Sequence, residues 1–259
     1  MNKTSNYTYN DIVVSLRACG ISPGDVIFIH SNMGFFGLLK EAVSPIDYYR
    51  LFKQAIFEVI GSEGTLVVPT FSYSFCRKQN FDLKNTPGVC GFLSEQVRQD
   101  SDAYRSCDAN FSVAAIGVES EFFTHNADPY SFGENSFFAR FLAKGGKFCN
   151  FNFDAGSTFL HYVERVLKVP YRFDKGFTGS IICDGKVSDQ KKTFYHFCCD
   201  LNIPNHTPVF EKFDRLAKQQ KLAITANLGR GQIVSISAQD TFDLIEQELK
   251  RDGNFLIRG

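Results

Sequence analysis

The sequence predicts an α/β fold, a three-layer α/β/α sandwich on a mixed central sheet with a smaller β-rich C-terminal portion. Three observations carry this expectation. Short β-branched and aromatic runs alternate with segments of helical periodicity, the runs suit strands covered on both faces, and the texture turns to antiparallel hairpins after about residue 170. Residues 1–259 are read as a single domain, with a core over 1–170 and the β-rich portion over 171–259. A chain of 259 residues that is 44% hydrophobic can bury a core of this size.

From Asp11 to Cys19, apolar residues recur at helical spacing and stop at Gly20, as a glycine-capped helix does. Pro23-Gly24-Asp25 turns into VIFIH (26–30), a buried strand followed by the small polar run Ser31-Asn32-Met33-Gly34. Ser44-Pro45-Ile46-Asp47 opens a helix to Ile60, with Leu51, Phe52, Ala55, Ile56 and Val59 on one face. A strand from Thr65 to Phe75 ends in hydroxyl side chains. Helix Leu93 to Gln99, strand Phe111 to Val118, helix Ser136 to Ala143 and strand Lys147 to Phe153 follow. After Tyr171, FTGSIICDGKVSDQKKTFYHFCCD predicts antiparallel strands with a type I′ turn at Asp184-Gly185. A strand from Gly231 to Ser237 and a helix from Thr241 to Arg251 close the chain.

Lysine plus arginine equals aspartate plus glutamate at 28 each, so no global charge draws the protein to nucleic acid or an anionic membrane. The first residues, MNKTSNYTYNDI, hold no apolar signal region, and no run approaches the ~18 apolar residues of a spanning helix. A cytoplasmic protein is expected, and its eight cysteines, without any CxxC pair, are expected to be reduced and mostly buried. His196 beside Cys198 and Cys199 has no second ligand pair at finger-like spacing, so no metal is expected. There is no GxGxxG, and Gly145-Gly146-Lys147 lacks the rest of a P-loop. The Gly-x-Gly pyrophosphate signature of the commonest acetyltransferase fold is missing too.

The segment with the most chemistry is FDAGSTFLHYVERV (153–166). Asp154 or Ser157 suits a helix cap, and His161 and Glu164 then share one helix face at i and i+3. A histidine supported by a carboxylate is the equipment of proton abstraction, the carboxylate raising the histidine pKa and fixing its orientation. By spacing alone, a surface ion pair is the commoner origin of HxxE.

A wider pattern adds to this. GDVIFIHSNMGFFG, GTLVVPTFSYSF, FDLKNTPGVCGFLSE, RSCDANFSVAAIG, SFGENSFFARFLAKGGK and FDAGSTFLHYVE, in this order, resemble the aminoglycoside 3-N-acetyltransferase family over nearly the whole chain. The resemblance implies direct transfer from acetyl-CoA to an amino group on a sugar ring, without a metal. It puts His161 and Glu164 on the family's catalytic pair. Ser31, Asn32, Met33, Gly34, Ser106 and Ser112 fall in segments resembling its cofactor-facing loops. Where antibiotic-modifying members commonly read Arg-Ser-x-His-Pro-x-His-Ser, this chain has Arg105-Ser106-Cys107-Asp108-Ala109-Asn110-Phe111-Ser112. Both histidines are replaced, which makes Asp108 a candidate acidic partner of His161.

Asp154, Arg172 and Tyr73 are candidate substrate contacts. Arg165, Lys168, Arg172 and Lys175 form a local basic excess suited to an anionic acceptor such as a nucleotide-linked amino sugar destined for surface polysaccharide (lipopolysaccharide O-antigen). Aminoglycoside modification, as in antibiotic resistance, is the alternative, and a non-catalytic module binding CoA or glycan is the third reading. The sequence leaves room for a homo-oligomer.

Overall fold

The computed structural model describes residues 6–204 and 206–258. Its centre is a seven-stranded mixed sheet. The order is Ile224–Leu228, Gly231–Ser237, Lys147–Phe151, Val26–Phe28, Thr65–Pro69, Val113–Gly117 and Tyr104–Arg105. Lys147–Phe151 and Thr65–Pro69 both run parallel to Val26–Phe28, and the flanking pairs are antiparallel.

The period of two in each strand deals side chains to two cores. Val26, Phe28, Val67, Val113, Ala115, Phe148, Val234 and Ile236 enter one core, with helices Phe137–Ala143, Phe159–Val166 and Ala238–Arg251. Ile27, Ile29, Leu66, Val68, Ala114, Ile116, Cys149 and Ile233 enter the other, under helices Tyr9–Ala18, Pro45–Ile60 and Phe92–Gln99. This is the expected three-layer α/β/α sandwich. The helix starts are explicit in the sequence: Thr8, Ser44, Ser136 and Ser237 each accept a backbone N–H of the first turn.

Two expectations need correction. The strand from Thr65 stops at Pro69 rather than Phe75, because the chain turns through Tyr73 at φ 54° and Ser72 Oγ ties back to Ala109 O at 2.8 Å. The C-terminal portion is β-rich as expected, and it gives two strands to the main sheet and a helix to one face. Of the eight free cysteines only Cys19 and Cys149 are buried, five are half-buried and Cys183 is exposed.

Two features position the site. The ends of the parallel strands extend together, Ser31 bridging to Phe151, so the loops after both open at the edge where α/β sheets hold ligands. A long antiparallel ribbon, Arg172–Gly179 with Lys192–Cys199, brings Arg172 opposite Cys199 and His196 opposite Lys175. Asp184 and Gly185, at φ 49° and 74°, make the expected tight turn of a separate short hairpin, Ile181–Cys183 with Lys186–Val187. No helix among the described residues is long and apolar enough to cross a membrane.

Candidate active site

The helix Phe159–Val166 packs Phe159, Leu160 and Val163 into the core, which leaves His161 on its less buried side. The loop before it is pinned: Asn150 Nδ2 donates to Asp154 O at 2.6 Å, and Ala155 N–H donates to Asp214 Oδ1 at 2.8 Å. Phe159 N–H donates to Ser157 Oγ at 3.3 Å. Asp154 does not cap the helix, and its exposed carboxylate pairs with Lys218 at 3.3 Å.

His161 Nδ1 lies 2.7 Å from Glu164 Oε2, and the same oxygen lies 2.8 Å from Arg172 Nε. Side-chain exposure is 17% for His161, 0% for Glu164 and 3% for Arg172, so the histidine is the most exposed of the three. Arg172 also donates to Phe197 O at 3.2 Å. It was a candidate substrate contact; the ribbon instead turns it inward, where it neutralises Glu164. Arg165 is likewise spent, held by Asp174 at 2.9 Å with its guanidinium over the Tyr130 ring. The basic excess shrinks to Lys168 and Lys175, which have no carboxylate partner among the described residues.

Glu164 acts to raise the His161 pKa, as the spacing suggested, but it does not set the net direction. Burial is the largest influence and lowers it below the ordinary histidine value, the nearby Arg172 charge acts the same way, and Glu164 only partly opposes them. The imidazole is therefore held neutral.

The wall around His161 is aromatic. Phe132 stands edge-on at 5.9 Å and Phe210 at 5.5 Å between ring centres. Phe132 in turn faces His196, whose ring meets Phe111 at 4.6 Å and stacks on Tyr73 at 6.5 Å. Burial, reinforced by the nearby Arg172 guanidinium, takes the His196 pKa down to about 4. Sequence reasoning weighed His196 only as a metal ligand and missed this proximity; strand register across the ribbon, which local patterns do not reveal, creates it. With Arg172, Lys175 and Cys198 it lines a groove of about 660 Å³. Tyr73 thus stands by the site, its hydroxyl pushed up to about 12 by burial.

Asp108 stands elsewhere in role. Its Oδ1 accepts the N–H groups of Asn110 at 2.8 Å and Phe111 at 2.9 Å, closing a turn, and no hydrogen bond or ion pair joins it to His161. Ser106 Oγ accepts Val113 N–H at 2.9 Å, and Ser112 Oγ donates to Thr70 O at 2.7 Å. Both hydroxyls serve the fold between strands. Arg105 spans the same region, donating to Thr86 O at 2.6 Å and Thr70 O at 3.0 Å.

Ser31 to Gly34 form the loop at the end of the Val26–Phe28 strand, and Met33 begins a short 3₁₀ turn. Asn32 N–H donates to Phe151 O at 2.9 Å, and Asn32 O accepts Asn152 Nδ2 at 2.8 Å. Beside this loop lie buried polar atoms without partners: both ring nitrogens of His30, Ser31 Oγ and Asn150 Oδ1. Such groups are costly unless something fills their hydrogen bonds.

The fold is that of solved aminoglycoside acetyltransferases. AAC(3)-IVa, as apoenzyme, superposes with a TM-score of 0.78 at 22% identity, over 100% of this chain and 94% of that one. AAC-IIIb in a binary complex with CoASH gives 0.79 at 19% identity over 95% and 98%. AAC-VIa bound to sisomicin gives 0.78 at 21% over 95% and 98%. Residues 28–250 match the sequence pattern of the aminoglycoside 3-N-acetyltransferase family, and the chain belongs to that family. Aminoglycoside N(3)-acetyltransferase III of Serratia marcescens is 26% identical over 187 residues, 63% of this chain and 66% of that protein, just under two thirds of its length.

Proposed function

We propose that the protein transfers the acetyl group of acetyl-CoA directly to an amino group of an aminoglycoside-type amino sugar. The buried line Arg172–Glu164–His161, ending at its most exposed member, is the observation that carries this reading. The solved relatives with CoASH and with sisomicin support its two ligands.

Acetyl-CoA, when bound, supplies an acetyl group activated as a thioester. The hydrogen bond from Nδ1 to Glu164 selects the tautomer whose Nε2 carries a lone pair, and burial keeps that form populated. Nε2 takes the proton that the amine loses as its nitrogen bonds to the acetyl carbon. The resulting imidazolium is stabilised by Glu164. Arg172 offsets the Glu164 charge at rest and so prevents the pair from settling as a permanent ion pair. As the carbon–sulfur bond breaks, the proton on His161 is returned to the sulfur, and no side chain needs to be acylated.

The choice of acceptor follows from charge. A nucleotide-linked sugar rested on four cations at the mouth, and Arg165 and Arg172 are each engaged by a carboxylate. Thiol release measured over aminoglycosides and nucleotide-linked amino sugars tests the assignment. Turnover is expected with aminoglycosides; turnover confined to nucleotide-linked sugars would reverse the choice, and coenzyme binding without turnover on any amine would favour the non-catalytic module.

A further inference from the structure

Beyond the ribbon the chain builds a small three-stranded sheet, in which Ile181–Cys183 pairs with Phe81–Asp82 on one side and Lys186–Val187 on the other. Its register sets Ile181 beside Phe81, and both side chains enter the small cluster that holds Phe75, Ala109 and Phe194. Side chains two apart on a strand share a face, so Cys183 faces the same side as Ile181. Being exposed, it stands at the rim of that cluster. Cys107 reaches the same cluster from the loop that follows the edge strand Tyr104–Arg105 of the main sheet.

Two segments far apart in sequence thus bring two thiols to one place. Both line a single cavity of about 830 Å³, with Leu83, Arg105 and Asp184. Both are free, Cys183 open to solvent and Cys107 half-buried. The closeness of Cys183 adds to burial in pushing the Cys107 thiol up, as two neighbouring thiolates would repel, while Lys192 pulls the other way. No group of three histidine, cysteine, aspartate or glutamate side chains suited to a metal occurs among the described residues, and the chemistry two thiols can do alone is oxidation to a disulfide. Functional parts lie on either side of the seam between them. The Cys107 loop continues to Phe111, whose ring meets His196, and the Cys183 strand continues the ribbon strand that starts at Arg172.

We propose that Cys107 and Cys183 are an oxidation-responsive pair, closed by hydrogen peroxide to a disulfide that clamps the ribbon to the loop carrying Phe111. The exposed Cys183 thiolate attacks peroxide; its S–O bond forms as the O–O bond breaks, leaving a sulfenic acid and one water. The Cys107 thiolate then attacks that sulfur, the S–S bond forms, the S–O bond breaks and a second water leaves. Two thiols give up two electrons and two protons, and one peroxide becomes two waters. Non-reducing peptide mapping and urea unfolding of wild type, Cys183→Ser and Cys107→Ala, before and after peroxide, test this. Oxidised wild type is expected to yield a peptide linking Cys107 to Cys183 and to unfold at about 1 M higher urea, because the bridge closes a long loop of the unfolded chain. Dithiothreitol should reverse both changes, and neither variant should show them. Cys183→Ser alters only an exposed position, so it keeps the comparison sound even where Cys107→Ala weakens the fold. Bridges to other cysteines, sulfinic acid at Cys183 with Cys107 still free, or a linked peptide without a higher urea midpoint would each overturn the proposal.

Discussion

One carboxylate oxygen of Glu164 serves both His161 and Arg172, all three being largely removed from water, so the energetics of the site turn on a single buried charge. Glu164→Gln leaves the Arg172 guanidinium buried without its counter-charge, and a loss of about 3–5 kcal/mol in urea unfolding is expected. The double variant Glu164→Gln, Arg172→Met should regain much of that stability while turnover stays impaired. Recovery of both together would mean that the pair is structural only. The pH dependence has a definite sign. Because the His161 pKa is lowered, chiefly by burial, the basic form persists to lower pH than for an ordinary histidine. The acid limb of kcat/KM for the acceptor is therefore expected below the usual histidine range, activity being present above it and lost as pH falls through it. A limb at or above about 6.5 would contradict the neutral-base assignment.

At the scale of elements, the ribbon decides whether Arg172 and His196 reach the helix that carries His161. It is held by a small cluster of Phe75, Phe81, Ile181 and Phe194, separate from the two main cores. Phe194→Ala should cost about 3 kcal/mol in stability and lower kcat, since it loosens the strand bearing His196. Chemical denaturation beside steady-state kinetics checks this, and a stability loss with unchanged kcat would free the ribbon of any part in catalysis. The same scale shows what the sequence made legible. Strands such as Val26–Phe28 and Lys147–Phe151 are almost wholly buried and so declare themselves, and Gly231–Ser237 was read to the residue. The helix Glu211–Gln219 buries only Phe213 and Ala217, and the edge strand Ile224–Leu228 buries only Leu228. The helix is amphipathic but short and mostly polar, the strand is largely exposed, and both were missed. The pair His161 and Glu164 was legible because a helix brings i and i+3 together. Arg172 and His196 were misread because the register of the antiparallel ribbon, which local patterns do not reveal, sets where they point.

For the whole molecule, the placement of histidines ties stability to pH. His30 and His196 are buried, and burial takes both to about 4 from an ordinary value of 6.5. The unfolded chain therefore binds more protons in that interval. The associated stability is present above pH 6.5 and is lost as pH falls toward 4, on the order of 3 kcal/mol for each histidine. Urea unfolding from pH 8 to 4 should show a plateau and then a decline that begins near 6.5; a plateau reaching 4.5 would mean that these rings are charged or hydrated in the fold. The central claim is that this three-layer fold presents His161 as the base for acetyl transfer from acetyl-CoA to an amino sugar. Its most direct measurement is CoA thiol release on an aminoglycoside by wild type and His161→Ala, with CoA binding to each followed by calorimetry. The account predicts turnover by wild type, a fall of about 10²-fold or more in His161→Ala, and near-equal CoA affinity in the two. Equal turnover in the two would contradict it.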